Sequence, residues 1–198
     1  MSFQQTVKIS KERIGVLIGK GGKVKQQIEE RCGVKIEIDS ETGDTMIIGN
    51  SSADRLEAFR AVEVITAISR GFSPQRAYLL FDDEELIFQQ IDLHDYTGKS
   101  PNALERIKGR IIGEGGKARR MIEELSGSYV SVYGHTVCLI GSFREIKLTT
   151  EAISMLAKGS MHKTVYNMLQ SAKRKDKIDK MRLWEEKENP DKITFSDS

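Results

Sequence analysis

Apolar and polar positions follow one another along this chain in two rhythms, and the same succession of rhythms occurs twice. Residues 34–38 and residues 129–132 alternate apolar and polar side chains, which is the period-two pattern of half-buried strands. Short apolar runs closed by glycine follow at residues 45–49 and 136–141, and they predict a second strand in each half. Each half is therefore expected to contain two neighbouring strands.

Each half ends in a predicted helix and begins with a further predicted strand. Apolar segments near residues 6–9 and 87–93 predict the first strands. The predicted order in both halves is strand, helix, glycine loop, helix, strand, strand, helix, which is typical of an α+β fold. The closing helices are indicated by apolar residues at helical spacing, namely Leu56, Phe59, Val62 and Ile65 in one half and Ile146, Ile153 and Leu156 in the other.

A glycine-rich sequence separates the first two predicted helices of each half. Residues 18–33 and residues 112–127 agree at nine of sixteen positions, and each segment contains a GxxG run, Gly19–Gly22 in the first and Gly113–Gly116 in the second. Agreement of this kind at a fixed offset indicates a duplicated unit. The chain is therefore predicted to hold two copies of one domain.

Two Ser-Pro pairs mark helix starts near the junction of the copies. Ser73 and Ser100 are each followed by proline, which combines a good helix N-cap with the residue favoured at the first helical position. Together with the repeat, these signals divide the chain into a first domain at residues 4–72, a linker helix at 73–85, a second domain at 86–160, and a C-terminal helix and tail at 161–198.

The net charge of +2 hides an uneven distribution. Residues 8–25 contain six lysines and arginines against Glu12 alone, and residues 106–120 contain six against Glu114 alone, so the rest of the chain is acidic. Positive charge concentrated around both glycine loops is what a polyanion-binding surface requires, because local potential attracts phosphates. If charge were the only evidence, two solvated helix faces would be the preferred interpretation.

The glycine loops supply a physical basis for phosphate binding. Glycine tolerates positive φ and has no Cβ, so a sugar-phosphate backbone can approach closely. The helix that starts after each loop directs unpaired N–H groups and the positive end of its dipole towards an anion. Apolar residues ahead of the loop are expected to line a groove in which bases lie against the exposed edge of the first strand after the loop.

The candidate RNA-binding residues occupy corresponding places in the two copies. No catalytic residue, metal ligand or cofactor is expected, and the protein is predicted not to be an enzyme. The candidates of the first copy are Arg13, Ile14, Leu17, Ile18, Gly19, Lys20, Gly21, Gly22, Lys23, Lys25 and Ile36. The candidates of the second copy are Arg106, Lys108, Arg110, Ile111, Ile112, Gly113, Glu114, Gly115, Gly116, Lys117, Arg119, Arg120 and Val130.

Nucleotide-binding motifs do not explain the glycine pattern. The run Gly98-Lys99-Ser100 lacks the earlier glycine of a P-loop, because Leu93 occupies that position. A GxGxxG dinucleotide site is excluded because the glycine loops join helix to helix rather than strand to helix. The sequence therefore favours a binding module over a nucleotide hydrolase or a dehydrogenase.

The histidines and cysteines do not have the spacing of a metal site or a disulfide framework. Asp92, His94 and Asp95 would point to alternating faces at a strand end, so a capped turn is the preferred interpretation. His135 and His162 have no carboxylate or cysteine at ligand spacing and are expected to be surface or packing residues. The two cysteines lack CxxC spacing and are expected to be buried.

Membrane insertion is not expected from the sequence. No stretch approaches the ~20 apolar residues that cross a bilayer, and the first ten residues lack the apolar core of a signal peptide. The expected location is the cytoplasm, with no membrane partner.

The duplicated loop and the pattern around it resemble the type I KH domain, whose GxxG loop clamps about four nucleotides of single-stranded RNA or DNA. The resemblance implies two tandem type I KH domains, each a three-stranded antiparallel sheet packed by three helices, plus a C-terminal helix. Residues 91–100, 104–113, 132–134 and 159–166 are also similar to the archaeal KH family of small-subunit ribosome assembly, the counterpart of the eukaryotic Partner-of-Nob and Krr-type factors.

This narrower resemblance implies binding near the 3′ end of small-subunit ribosomal RNA during its maturation. It also implies contact with the rRNA-processing endonuclease and with the α subunit of initiation factor two.

Two departures from the generic KH pattern matter. Lys25 and Arg119 stand where an apolar residue is usual, which implies more phosphate contact and less groove lining. Glu114 stands where lysine is common, so the second loop is expected to bind RNA more weakly or differently, and which domain dominates stays open.

Two other functions share this fold and stay open at the level of the sequence. The protein could be an assembly adaptor whose KH folds mainly bind protein, using the acidic surface and a long helix predicted at residues 162–188. It could instead be a general RNA chaperone or a messenger-RNA regulator. Trp184 in the C-terminal helix is a candidate anchor for a partner, although a local packing contact is the preferred interpretation.

Overall fold

The computed structural model describes residues 3–49, 55–98 and 100–188, with side chains as far as residue 182. Lys99 and the side chain of Trp184 lie outside the described part. The first half contains β1 (Gln4–Lys8), α1 (Lys11–Ile18), α2 (Lys23–Cys32), β2 (Val34–Ile38), β3 (Asp44–Gly49) and α3 (Arg55–Ser69). The remainder contains α4 (Pro74–Ala77), α5 (Leu79–Asp82), β4 (Leu86–Asp92), α6 (His94–Thr97), α7 (Pro101–Ile112), α8 (Lys117–Ser126), β5 (Tyr129–Tyr133), β6 (Thr136–Ser142), α9 (Phe143–Ala157) and α10 (His162–Glu188).

The two halves have the same topology. Each forms a three-stranded antiparallel sheet in which the last strand lies in the middle, in the orders β1-β3-β2 and β4-β6-β5. The registers correspond as well, since Ile36 is opposite Ile47 and Val130 is opposite Leu139. The predicted α+β fold, with three helices packed on each sheet and a C-terminal helix, is confirmed.

The linker differs in detail from its prediction, because residues 73–85 form two short helices rather than one. Ser73 accepts a hydrogen bond from the N–H of Arg76 and caps α4 as expected. Ser100 likewise accepts from the N–H of Ala103 and caps α7. A further short helix, α6, precedes α7 and was not predicted. None of these differences changes the two sheets.

The two central strands are buried in different ways, and the difference shows how the domains meet. In β3, Thr45 and Ile47 are buried whereas Met46 and Ile48 are partly exposed. In β6, six successive residues from Thr136 onwards are buried. Strand neighbours point to opposite faces, so the second sheet must be covered on both sides.

The second cover comes from the first domain and the linker. Val137 and Leu139 belong to the apolar cluster of the second domain, whereas Cys138 and Ile140 belong to the cluster that contains Phe72. Burial raises the pKa of the Cys138 thiol to about 11, so this thiol is protonated at neutral pH. The two domains therefore share an apolar core rather than being joined only by a linker.

Polar contacts border this shared core beside β5. The hydroxyl of Ser131 donates to the carbonyl oxygen of Arg70 over 2.9 Å, and the hydroxyl oxygens of Ser10 and Tyr133 are 2.7 Å apart. Gly71 has a φ of +100°, and a Cβ there would come within 2.6 Å of Ser131 Oγ. The turn after α3 thus requires glycine so that β5 can lie against it.

Candidate nucleic-acid interface

Both glycine loops form the same sharp turn between two helices. Gly19, after α1, has φ +72° and ψ 174°, and Gly113, after α7, has φ +71° and ψ 175°. This region of backbone space is essentially restricted to glycine. A single 3-10 turn follows in each copy, and α2 or α8 starts directly after it. The sequence repeat is thus also a repeat of backbone geometry.

The loop glycines fall into two groups with different roles. A Cβ at Gly19 would come within 2.4 Å of Val24 Cγ2, and a Cβ at Gly113 within 2.6 Å of Ala118 Cβ, so these two glycines allow the helices to pack. The others leave the outer side of the turn open for the backbone of a ligand. A Cβ would meet nothing within 4 Å at Gly21, Gly22, Gly115 and Gly116.

The helix that starts after each loop has a glycine as its N-cap. Gly22 and Gly116 supply no side-chain acceptor for the first turns of α2 and α8. Ser73 and Ser100, in contrast, accept such a hydrogen bond at α4 and α7. First-turn N–H groups have few intrahelical partners and carry the positive end of the helix dipole. Both helices therefore present N-termini that suit an anion.

Cationic side chains surround these N-termini. Arg120 donates to the carbonyl oxygen of Gly115 over 2.9 Å, which holds a guanidinium at the second loop. The predicted effect of Glu114 on this loop stays a prediction, and the Arg120 guanidinium at the same loop has the opposite charge. Lys108 is paired with Glu105 at 2.8 Å. The exposed cations among the predicted site residues are Lys20, Lys23, Arg106, Lys117 and Arg120.

Arg13 and Arg110 have structural partners. Arg13 Nε donates to the carbonyl oxygen of Ile68 over 2.9 Å, at the C-terminal end of α3. Arg110 Nε donates to the carbonyl oxygen of Leu156 over 3.0 Å, and its Nη2 donates to that of Ser160, at the end of α9. An RNA contact through either guanidinium would require breaking these bonds. Both arginine side chains therefore bind carbonyl oxygens at the end of the last helix of their domain.

Most of the predicted apolar groove belongs to the core. Helical spacing shows which side of α1 and α7 is apolar, but it does not separate a groove wall from a domain interior. Ile18 and Ile112, the last residues before the loops, are partly exposed and remain candidates for base contact. The side chains of the other predicted apolar site residues lie in the core, and their contact with RNA stays a prediction; these residues are Ile14, Leu17, Ile36, Ile111 and Val130.

The edge of the first strand after each loop is occupied. The N–H of Ile36 donates to Glu29 Oε1 over 2.7 Å, and the N–H of Val130 donates to Glu123 Oε1 over 2.8 Å. Glu29 and Glu123 correspond in the repeat. Base reading at these two N–H groups, which stays a prediction, therefore requires displacement of the glutamate carboxylates.

The predicted phosphate contacts Lys25 and Arg119 each have a carboxylate one turn further along the helix. Lys25 Nζ lies 3.8 Å from Glu29 Oε1, and Arg119 Nη1 lies 3.4 Å from Glu123 Oε1. Arg119 Nη1 also donates to the carbonyl oxygen of Val130 over 3.2 Å. These side chains are directed along the strand edge, and their charge is partly neutralised by the carboxylates.

The histidines are found in two settings. The N–H of His94 donates to Asp92 Oδ1 over 2.9 Å, which is the expected capped turn. His135 Nε2 lies 3.9 Å from Asp92 Oδ2, because the β5–β6 turn meets the end of β4, and the spacing of these residues in the sequence does not reveal this proximity. His162 Nε2 is 2.8 Å from the carbonyl oxygen of Arg110, in the predicted packing role.

The C-terminal helix packs along the second domain. Val165 and Leu169 are buried in the core of that domain, whereas Ile178 and Met181 further along are exposed. In the part of the chain that the structure describes, no helix combines the length and the apolar character needed to span a membrane.

Both halves match known KH families. Residues 4–63 match the KH domain family, and residues 87–174 match the family described as eukaryotic type KH-domain (KH-domain type I). A KH domain-containing protein of Methanocaldococcus jannaschii is 41% identical over 189 residues, which cover 96% of this chain and 82% of that protein. The similarity therefore extends across both halves.

The names of two further relatives mention ribosomal RNA or its processing. The structure of an a/eIF2α–aDim2p–rRNA complex from Pyrococcus horikoshii contains a chain that matches with a TM-score of 0.81 and 44% identity, covering 88% of this chain and 96% of that one. The pre-rRNA-processing protein PNO1 of Chaetomium thermophilum is 32% identical over 108 residues, which are 54% of this chain and 42% of that protein. The match thus spans less than half of this PNO1 relative.

The two groups of loop glycines should differ in their effect on stability. We expect Gly115→Ala to lower the free energy of unfolding by about 1–2 kcal/mol, the cost of the left-handed conformation for a residue with a Cβ. Gly113→Ala should cost about 3 kcal/mol or more, because its Cβ also meets Ala118. Urea denaturation measures both values, and equal losses would contradict the distinction.

Proposed function

Because the chain belongs to the archaeal KH-domain family that is homologous to the PNO1 and Dim2 rRNA-processing proteins, we propose that it binds single-stranded RNA through both glycine loops. We further propose that it acts in small-subunit ribosomal RNA processing and ribosome assembly. The observation that carries this proposal is the repeated turn that places an open glycine surface, a helix N-terminus and exposed lysines together.

The chemistry of the turn suits a sugar-phosphate backbone. A phosphate can approach Gly21 and Gly22, or Gly115 and Gly116, without meeting a side chain of the loop. The N-termini of α2 and α8 then supply N–H donors and a favourable dipole. Lysines and arginines next to the loop add attraction that does not depend on the bases. The role that follows is binding of RNA rather than catalysis.

The proposed partners come from the relatives. The Pyrococcus horikoshii relative is named in a complex with rRNA and a/eIF2α, and we extend both partners to this chain, with the rRNA region near the 3′ end of the small subunit. Contact with the rRNA-processing endonuclease rests on the resemblance to the ribosome-assembly family. The proposed place of action is the cytoplasm.

An assembly adaptor is the second candidate function, and α10 is the feature that favours it. A cavity of about 450 Å³ lies between α8, α9 and α10 and is lined by both charged and apolar residues, among them Leu125, Leu148 and Asp176. Beyond it, Ile178 and Met181 are exposed on α10. These features would suit a protein partner, and the adaptor role requires no RNA contact at the glycine loops.

Substitutions at the open glycines distinguish the two functions. We expect Gly21→Asp and Gly115→Asp each to weaken binding of a short single-stranded RNA by about tenfold or more, because a carboxylate then stands where a phosphate must approach. Fluorescence anisotropy with the full chain measures the dissociation constant. Unchanged affinity in both variants would favour the adaptor.

Asn102→Asp is the charge control for the Gly115 variant. Asn102 is exposed in the first turn of α7, so an aspartate there adds the same negative charge without a change of backbone conformation. The loop follows the other end of α7, so about ten residues of helix, roughly 15 Å, separate the control position from it. The dissociation constant of this variant should stay close to that of the unsubstituted chain.

The salt dependence of binding tests the phosphate contacts separately. Lys23→Ala and Lys117→Ala should each weaken binding to all RNA sequences and reduce the slope of log K against log salt by about one charge. Lys147→Ala, an exposed lysine on α9, is the control that should leave the slope unchanged. A changed sequence preference with an unchanged slope would disprove the assignment of Lys23 or Lys117 to phosphate.

A further inference from the structure

The first strand after each loop is bound along its outer edge by the helix that leads to it. In both domains a glutamate of that helix accepts a backbone N–H of the strand, Glu29 from Ile36 and Glu123 from Val130. Backbone N–H and C=O groups at an open strand edge could pair with the polar edge of a base. A base can use this edge only after displacing the carboxylate.

The second domain holds its glutamate with two arginines. Arg76 Nη1, from the linker, lies 3.0 Å from Glu123 Oε1, and Arg119 Nη1 lies 3.4 Å from the same oxygen. Arg76 is itself placed over the ring of Tyr129, 5.0 Å from its centroid. Since Arg119 also donates to the carbonyl oxygen of Val130, both polar backbone groups of Val130 have partners.

The first domain holds its glutamate more weakly. Lys25 occupies the position of Arg119 in the repeat, but its Nζ is 3.8 Å from Glu29 Oε1, and a third of its side chain is exposed. The side chain of Glu29 is 26% exposed, twice the 13% of Glu123. A single lysine at this distance and exposure is a weaker restraint than two guanidinium groups.

We propose that Glu123, held by Arg76 and Arg119, closes the strand edge of the second domain to bases, and that base selection resides in the first domain. This inference rests on the proposed RNA-binding function. The second domain then grips the sugar-phosphate backbone through its glycine loop, which stays open, and tolerates any base. The two copies of one fold thereby divide affinity and selectivity between them.

The test uses full chains in which one loop is disabled. Gly21→Asp leaves the second domain to bind, and Gly115→Asp leaves the first. The probes are three fluorescently labelled RNAs of about ten nucleotides. All flanking nucleotides are uridine, and the central four are all A, all C or all U, because one KH loop clamps about four nucleotides. Fluorescence anisotropy gives three dissociation constants for each chain. The ratio of the largest to the smallest, called the spread, measures base selection.

With Gly21→Asp the spread should stay within about threefold, and with Gly115→Asp it should reach about tenfold, the discrimination of a base hydrogen bond. Adding Glu123→Ala to the Gly21→Asp chain should widen its spread to about tenfold. Glu124→Ala removes the same charge from the next residue, which is exposed, and should leave the spread narrow. Arg76→Ala removes the contact between the linker and Glu123 and should widen the spread as well. This second variant keeps the test valid if the Glu123→Ala chain does not fold.

The inference is overturned if the Gly21→Asp chain already discriminates by about tenfold, or if neither Glu123→Ala nor Arg76→Ala widens the spread. It is also overturned if the Gly115→Asp chain shows no selection. These outcomes leave RNA binding itself intact. Failure of the unsubstituted chain to bind any of the three RNAs would instead disprove the proposed function.

Discussion

Each domain depends on one close contact between two helices, which is possible only because no Cβ is present at Gly19 or Gly113. The turn at these residues brings Val24 or Ala118 against the glycine, so the next helix starts almost without a connecting loop. Its N-terminus consequently lies at the outer surface of the turn. The same constraint that packs the helices thus creates the candidate anion site.

The shared core makes the two copies different from each other. The outer face of the second sheet is covered by the first domain and the linker, whereas β3 of the first sheet keeps partly exposed residues on its outer face. The linker that provides part of this cover also brings Arg76 to Glu123. A contact between domains therefore reaches the strand that follows the second glycine loop, and duplication of the fold has not produced two equivalent surfaces around the loops.

The parts of this structure that depend on local sequence could be predicted, and the parts that depend on distant contacts could not. Periodicity gave the order of strands and helices, and the GxxG runs gave both turns, because positive φ is a local requirement. The apolar run at residues 136–141 predicted a strand but not its burial on both faces, because the similar run at residues 45–49 forms a strand with a partly exposed face. The partners of Arg13 and Arg110 could not be predicted from the repeat. Arg13 stands six residues before Gly19 and Arg110 only three before Gly113, so the two arginines do not correspond in the alignment of the two copies. Both nevertheless reach the end of the last helix of their domain.

We expect the amides of the glycine turns, and of the helix starts behind them, to meet the phosphates of an unpaired RNA strand. A titration of the ¹⁵N-labelled full chain with a short single-stranded RNA, followed through the amide chemical shifts, measures this contact. The largest chemical-shift changes should occur at residues 20–25 and 114–119. Unchanged amides in both segments, with the largest changes on α10, would show that RNA does not bind at the glycine turns.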